Sequence, residues 1–491
     1  MKCQSGLSCV ETRLSRPMRL ALIVLTPMLL AGCFEEENNK REAGNTARDI
    51  PDLSKKVDRS FKGDRLQATS RPSEQSLTPN REAALRSVPE SAPLSGFYRA
   101  LIGLQLGVRS KPVTVLHIGD SHIAADRFTG TLRELFQTRF GDAGRGMMMP
   151  GFPFPYYQAK GVEFTRSGRW IAANSFKMDA GPYGVSGVRV TTREKGARLT
   201  LTSKEGAFEW AEVVFSTAPR GGQASVSFGG SEKSISTQGE SPGVERVHIA
   251  SKGRELAVAA KGNAPVSILS WSVGQNRPGI RYVNFGIPGA TADTPRRWDE
   301  ALVDSDLSKL SPDLIVLGYG TNEGFDDDLD MAAYEARVAD LISRFKLRAP
   351  QASFLVLGPP DGLRFPRYAR GKRRGALASA TCRALSDAER GRYAELRKAK
   401  SPQLARWHAP PKLAAVRKSL HRVADREGAR FWDWSQVMGG PCGIHSWANA
   451  KPPLAASDRV HLRTAGAKRS AHALFDELMK DYEIHVRLAS R

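Results

Sequence analysis

Ser121, His461 and Asp458 have the residue types that nucleophilic acyl transfer needs, and each lies in a short turn-like block. A serine hydroxyl is a weak nucleophile until a neighbouring base removes its proton, and the tetrahedral oxyanion it creates needs hydrogen-bond donors. His461 is the candidate base. Asp458, three residues earlier, can turn back to the imidazole Nδ1–H and fix the tautomer that leaves Nε2 facing the serine. Candidate oxyanion donors are the backbone N–H groups of Ser121 and Gly289 and the side-chain amide of Asn322. Gly289 suits that place because a side chain there would obstruct an approaching carbonyl. The chemistry implied is ester hydrolysis through an acyl-serine.

The four blocks are Gly119-Asp120-Ser121-His122, Asn284-Phe285-Gly286-Ile287-Pro288-Gly289-Ala290-Thr291, Gly320-Thr321-Asn322-Glu323 and Asp458-Arg459-Val460-His461. Singly, each has a plain structural reading: Gly-Asp-Ser is a common turn, Gly289 can merely supply positive φ, Asn322 can close an Asx turn, and Asp458 with His461 can be a surface pair. Their positions make them informative together. The first three each follow an apolar run read as a buried strand (Val113 to Ile118, Tyr282 to Phe285, Leu314 to Leu317), and the fourth precedes a helix read over Ala465 to Tyr482. Carboxyl ends of parallel strands are where open α/β sheets place their sites.

Further strands are expected at Ser353 to Leu357 and Arg430 to Trp434, and helices at Thr129 to Phe140, Met331 to Leu347 and Pro411 to Glu427. Between about Pro155 and Gln275 the pattern changes to some seven short alternating segments separated by Gly, Ser, Asn and Lys turns, which suggests a β-sandwich. The expectation is an α/β fold with a parallel sheet, interrupted by an inserted β-sandwich. It divides as 1–32 leader, 33–95 tether, 96–154 first catalytic part, 155–276 insert and 277–491 second catalytic part.

Composition limits the alternatives. The chain has 491 residues, 41% hydrophobic and 25% charged, enough to bury a sizeable core. No apolar run reaches the roughly 18 to 20 residues of a membrane-spanning helix, which excludes a multi-pass membrane protein. Arg13, Arg16 and Arg19 precede the apolar stretch Leu20 to Leu30, which ends in Leu30-Ala31-Gly32-Cys33. That is an export signal whose last four residues resemble a bacterial lipobox, with Cys33 as the lipidated residue. Met18 to Cys33 alone would make a compact signal of this kind. A periplasmic, lipid-anchored protein follows, at the outer membrane more than the inner because no aspartate follows Cys33. Phe34 to about Ala92 is polar and Pro-containing and reads as a tether.

Removal of Cys3 and Cys9 with the leader leaves Cys382 and Cys442, either bridged or two separate buried thiols. The net charge of +22 is concentrated between Asp361 and Arg430, with 19 Lys and Arg against 6 Asp and Glu. No nucleic-acid-binding module accompanies it, so a solvated helical face or attraction to an anionic envelope polymer remain. No His-Glu-x-x-His or paired Cys-x-x-Cys is present, and neither a metal nor another cofactor is called for. The absence of Gly-x-Ser-x-Gly argues against an ordinary α/β-hydrolase.

Ser121, Gly289, Asn322 and His461, in that order and each in its block, resemble the SGNH (GDSL-like) hydrolases, α/β/α enzymes that cleave esters of lipids and carbohydrates. His117 to Asp126, Gly141 to Gly146, Tyr319 to Glu323, Gly358 to Asp361 and Phe431 to Trp434 with Met438 to Gly440 are similar to the peptidoglycan O-acetylesterase and O-acetyltransferase branch. The resemblance implies removal of acetyl groups from the C6 hydroxyl of N-acetylmuramic acid, peptidoglycan glycan strands as partner, and a carbohydrate-binding-like sandwich between the first two blocks. A transferase with the same residues, and a non-catalytic wall-binding lipoprotein, are the alternatives. Asp126 reads as a structural pairing residue, and Glu323 as either orienting Asn322 or simply exposed. Trp432 and Trp434 read as core; His445 and Trp447 are candidates for the site's rim.

Overall fold

The computed structural model describes residues 92–177, 181–369 and 380–489. The leader, Cys33 and the tether as far as residue 91 lie outside the described residues. Helix α1 (Ser95–Gln105) is followed by strand β1 (Val113–Gly119), whose seven residues are all buried. Helix α2 (Phe128–Phe140) leads into the insert. Beyond it come β2 (Ile280–Gly286), α3 (Glu300–Leu310), β3 (Leu314–Gly318), α4 (Met331–Arg348), β4 (Ser353–Gly358), α5 (Pro411–Arg426), β5 (Arg430–Asp433) and α6 (Thr464–Ala489). The five strands are parallel in the order β2-β1-β3-β4-β5. That order reverses direction between β1 and β3, the place where sheets of this class bind their ligands.

Strand side chains alternate between two helical layers, as the pleat requires. Val113, Val115, Tyr282, Val316 and Leu355 share a core with Phe97, Leu132, Phe136 and Leu474, from α1, α2 and α6. Leu116, Ile118, Val283, Ile315 and Val356 face Leu307, Val338, Leu341, Val416 and Leu420, from α3, α4 and α5. Local chemistry starts the helices: Asp299 accepts from the Leu302 N–H at 3.0 Å to cap α3, Asp330 caps α4, and proline opens α5.

The insert forms two antiparallel sheets. One runs in the order Gly243–Ile249, Trp210–Thr217, Val266–Gly274, Val188–Thr192, Ile171–Asn174; the other runs Val162–Ser167, Arg198–Ser203, Glu255–Ala260, Gln223–Phe228, Ser231–Ser236. Val213, Phe215 and Ile268 of the first and Leu199, Val226 and Val258 of the second lie in one core, continuous with the α3/α4/α5 face of the parallel sheet. Gly146–Met148 already pairs with Val266–Gly274, so the antiparallel structure begins ahead of residue 155.

The basic stretch corrects one expectation. It is not a single solvated helical face: helices Asp387–Gly391 and Tyr393–Lys398 close over Leu385, Tyr393, Leu396 and Leu404, and Cys382 is bonded to Cys442. Many of its guanidinium groups meet carboxylates: Arg364 and Arg397 on Asp327, Arg406 on Glu389, Arg422 and Arg426 on Glu335. Among the described residues no helix is long and apolar enough to cross a membrane.

Candidate active site

Three strands end in glycine side by side: Gly119 of β1 is in register with Gly286 of β2 and Gly318 of β3. The row lets the chain after β1 turn directly across the sheet edge. A Cβ on Gly286 would lie 2.3 Å from the Ala124 nitrogen, and one on Gly119 would lie 2.4 Å from the Gly318 oxygen. The turn Ser121–Ala124 is capped by buried Asp120, whose Oδ1 accepts from the His122 N–H at 2.9 Å. Ser121 is thereby set at the carboxyl end of β1, next to the point where the strand order reverses.

The opposite wall is the loop before α6. Its Ser121 Oγ···His461 Nε2 separation is 3.1 Å, and His461 Nδ1 lies 2.7 Å from Asp458 Oδ2. Asp458 Oδ1 also accepts the N–H groups of Val460 and His461 at 2.9 and 3.0 Å. Burial raises the Asp458 pKa, but the bond and charge of His461 and these two N–H groups outweigh it, so the carboxyl ends below its ordinary value. The structure thus brings together residues 340 positions apart in hydrogen-bond contact.

Gly289 has φ +85, and a Cβ there would lie 2.7 Å from the Phe176 ring. A side chain would therefore strike a phenyl group of the insert as well as strain the backbone. Arg297 donates to the Ser175 and Phe176 carbonyls at 3.0 and 2.7 Å, holding that insert loop beside the second block. Asn322 Nδ2 donates to the Ala290 carbonyl at 2.8 Å, which fixes the amide plane and leaves its second hydrogen free to point elsewhere. The N–H groups of Ser121 and Gly289 donate to no acceptor among the described residues. Ser121, Gly289, Asn322 and His461 are all half-buried, open to solvent on one side. Among the described residues no group of three or more His, Cys, Asp or Glu side chains is placed to hold a metal ion.

The neighbours differ from the sequence reading in several respects. Glu323 is buried and does not touch the Asn322 amide; its two oxygens accept the N–H groups of Ala292 and Gly320, at 2.8 and 3.1 Å, stitching the second block to the third. Asp126 is a buried hub that accepts from Thr129, Arg133, Arg145 and the Lys160 N–H. Arg145 also reaches Asn284, whose amide donates to the Ile123 carbonyl at 3.3 Å and so braces the serine turn. Trp447 is buried, with the Arg469 guanidinium over its ring, and so belongs to the core and not to the rim.

His122 was not singled out by the sequence. Its Nδ1 lies 3.2 Å from Asp120 Oδ1 and its Nε2 lies 3.0 Å from the Val460 carbonyl. Its ring stacks on that of His461, centroids 5.7 Å apart. The signal was present as a histidine directly after the serine, but its partner on the loop of Asp458 and His461 is 338 residues away.

Residues 234–474 match the model of the GDSL-like lipase/acylhydrolase family. The match includes the Gly289, Asn322 and Asp458–His461 blocks; Ser121, separated from them by the insert, is brought in by the fold. Among curated protein sequences none matches this chain. A solved structure of a peptidoglycan O-acetylesterase is similar over 80% of this chain and 99% of its own, at 24% identity and a TM-score of 0.63. An acetyl-xylooligosaccharide esterase mutant from Geobacillus Stearmophilus aligns over 41% of this chain and 73% of its own (18% identity, TM-score 0.26). A family two carbohydrate esterase from Clostridium thermocellum aligns over 65% and 98% (12% identity, TM-score 0.25). The chain carries, over residues 234–474, a domain of the GDSL-like lipase/acylhydrolase family.

Proposed function

We propose that this protein is a serine esterase that removes O-acetyl groups from peptidoglycan, at the C6 hydroxyl of N-acetylmuramic acid, and acts as an exported lipoprotein anchored through Cys33, at the outer membrane more than the inner. The observation that carries the catalytic reading is the Ser121–His461–Asp458 chain of contacts, 3.1 and 2.7 Å long, at the edge of the sheet between β1 and β3. The family match and the similarity to a peptidoglycan O-acetylesterase support the reaction and its substrate.

In this reading Ser121 Oγ attacks the acetyl carbonyl as its proton passes to His461 Nε2. Asp458 holds the imidazole and stabilises its charge. The developing oxyanion meets the N–H groups of Ser121 and Gly289 and the Asn322 amide. His461 then protonates the departing sugar oxygen, which frees the glycan and leaves acetyl-Ser121. Water, deprotonated by the same imidazole, releases acetate and restores the serine. Phe176 brings the insert to the wall of this site, which suits a role for the insert in holding a glycan beside it.

The test is acetate release from O-acetylated peptidoglycan by the purified protein and by its Ser121→Ala variant, with an acetylatable chitooligosaccharide in a parallel reaction. Acetate from the wild type alone is the expected result. Acetylated oligosaccharide without free acetate would make the protein a transferase, and retention of the wall without either product would make it a binding protein.

A further inference from the structure

We propose that His122 is a positioning residue held as an imidazolium, which clamps the loop carrying Asp458 and His461 onto the turn carrying Ser121. The proposal rests on the reading of Ser121 and His461 as nucleophile and base, and concerns how that pair is kept in register.

The hydrogen bonds dictate the charge. A backbone carbonyl only accepts, so the Nε2 facing Val460 O at 3.0 Å carries a hydrogen. On the other side Nδ1 faces Asp120 Oδ1 at 3.2 Å, again an acceptor. A neutral imidazole has one N–H, so it satisfies one of these contacts and turns a lone pair toward an oxygen at the other. Only the doubly protonated ring satisfies both. The side chains of His122 and Asp120 are 3% and 2% exposed, so neither contact is readily replaced by water.

The ring is surrounded by the serine turn, the Asn322 block, the loop of Asp458 and His461, and one core tryptophan. Asp120 belongs to the serine turn, and Thr321 to the block that supplies Asn322. Thr321 Oγ1 stands 3.5 Å from the His122 Nδ1. Trp434, after β5, meets the ring edge to face at 5.7 Å. The base loop contributes the Val460 carbonyl, the His461 ring and the charge of Asp458. Burial works against charging His122, but Asp120 and the other acceptors outweigh it and its pKa ends above the ordinary value; Asp120 is shifted the opposite way by the same pair. A group with a raised folded pKa lends its stability below its unfolded pKa and loses it as pH rises through the folded one. The clamp therefore holds below the ordinary imidazole value and is lost as pH rises through the raised one.

The first test is nitrogen-15 NMR of the full chain labelled in histidine. Both His122 ring nitrogens are expected to give N–H-type shifts at neutral pH; one pyridine-like nitrogen would overturn the proposal whatever the activity assays say. The second is kinetic, with p-nitrophenyl acetate. His122→Asn cannot span both acceptors, and a displacement of about 1 Å at a reacting group costs about 100-fold, so kcat should fall by that order with KM little changed. Asp120→Asn should move the alkaline fall of kcat to lower pH, which a purely packing role for His122 would not do. An unmoved profile, or wild-type kcat in folded His122→Asn, would sink the clamp. Ser121→Ala run alongside separates the two readings: turnover surviving there removes the nucleophile assignment, while the NMR result still decides the charge of His122.

Discussion

The serine and the histidine meet at one point but are held there in different ways. Ser121 follows a fully buried strand, on a turn seated over the glycine row and capped by buried Asp120, with the Asp126, Arg145 and Asn284 network beneath it. The base loop pairs mainly with itself: Ala456 N–H to the His461 carbonyl at 2.8 Å, and an Ala455–Leu462 bridge. The Asp458 and His461 side chains are 32% and 42% exposed. Single contacts link this loop to other elements. Leu363 N–H donates to the Arg459 carbonyl, His122 reaches Val460, and the Arg459 guanidinium lies 4.5 Å over the Trp407 ring. Packing over-determines the place of Ser121, whereas a handful of named contacts determines that of His461. Changes on the serine side should damage folding and rate together, and changes behind the base loop should damage rate first.

Removing either reacting group gives the largest effect and should hide this contrast. Ser121→Ala and His461→Ala are each expected to lower kcat by at least about 10⁴-fold, since members of such a set act as a unit. The double variant should be hardly worse than either single one, measured as acetate release by folded protein. Additive losses would break the idea that the two sides form one device. Next is Asn322→Ala. An oxyanion donor is worth about 100- to 1000-fold in kcat, with a smaller change in KM. A change confined to KM would instead make Asn322 a binding residue.

How much of this was legible from the sequence follows the same division. Strands buried on both faces appear as nearly continuous apolar or β-branched runs, so Val113–Gly119 and Leu314–Gly318 stand out, and with them the turns that carry Ser121 and Asn322. Ser231–Ser236 does not: it lies at a sheet edge with none of its residues fully buried, and its polar sequence has no period to read. Helix α3 is similar, its apolar face broken by Asp304, Asp306 and Lys309. Ser121, Gly289, Asn322, Asp458 and His461 stand out in the sequence by type and order, and the fold brings Ser121, His461 and Asp458 into contact. What supports them could not be read in full. Asp126 could be read as a pairing residue but not its partners, Glu323 and His122 act through partners on other elements, and Trp447 looks the same in a sequence whether it packs inward or lines a rim. A pairing such as His122 with Val460 O exists only once the sheet has closed.

A substitution behind the base loop tests the contrast most directly. Arg459 has φ +55, an awkward geometry for a long side chain, and turns away from Asp458 and His461 to lie on Trp407 while donating to Asn449 Oδ1 at 3.3 Å. It anchors the loop to the segment that the Cys382–Cys442 bond ties down. A buried cation–π contact is worth about 2 kcal/mol, so Arg459→Ala should cost roughly tenfold or somewhat more in kcat. Hydrogen exchange should speed up in residues 456–463 and stay unchanged in β1. Equal loosening of both would mean that the loop and the sheet are one rigid body.

The last effect lies on the rigid side, leaves the rate alone and is read as stability against pH. Glu323 is buried between the second and third blocks; burial pushes its pKa up to about 7, against the N–H bonds from Ala292 and Gly320 and with help from the negative charge of Asp120. An acid whose folded pKa exceeds its unfolded one binds more protons when folded, so stability declines as pH rises between the two values and is regained on acidification. A shift from the ordinary glutamate value to about 7 corresponds to something of the order of 3 kcal/mol across that interval. His122, also shifted upward, adds a slope of the same sign, so the comparison must be between wild type and Glu323→Gln. The variant keeps the His122 slope and loses that of Glu323. Its amide must also turn an NH2 toward one of the two backbone donors, a fixed cost that lowers the whole curve without tilting it. Melting temperature measured from pH about 8 down to about 5 should therefore rise more steeply for wild type than for Glu323→Gln. Parallel curves would return Glu323 to the ordinary carboxylate range and leave its two N–H bonds, and not its protonation, as the tie between the blocks.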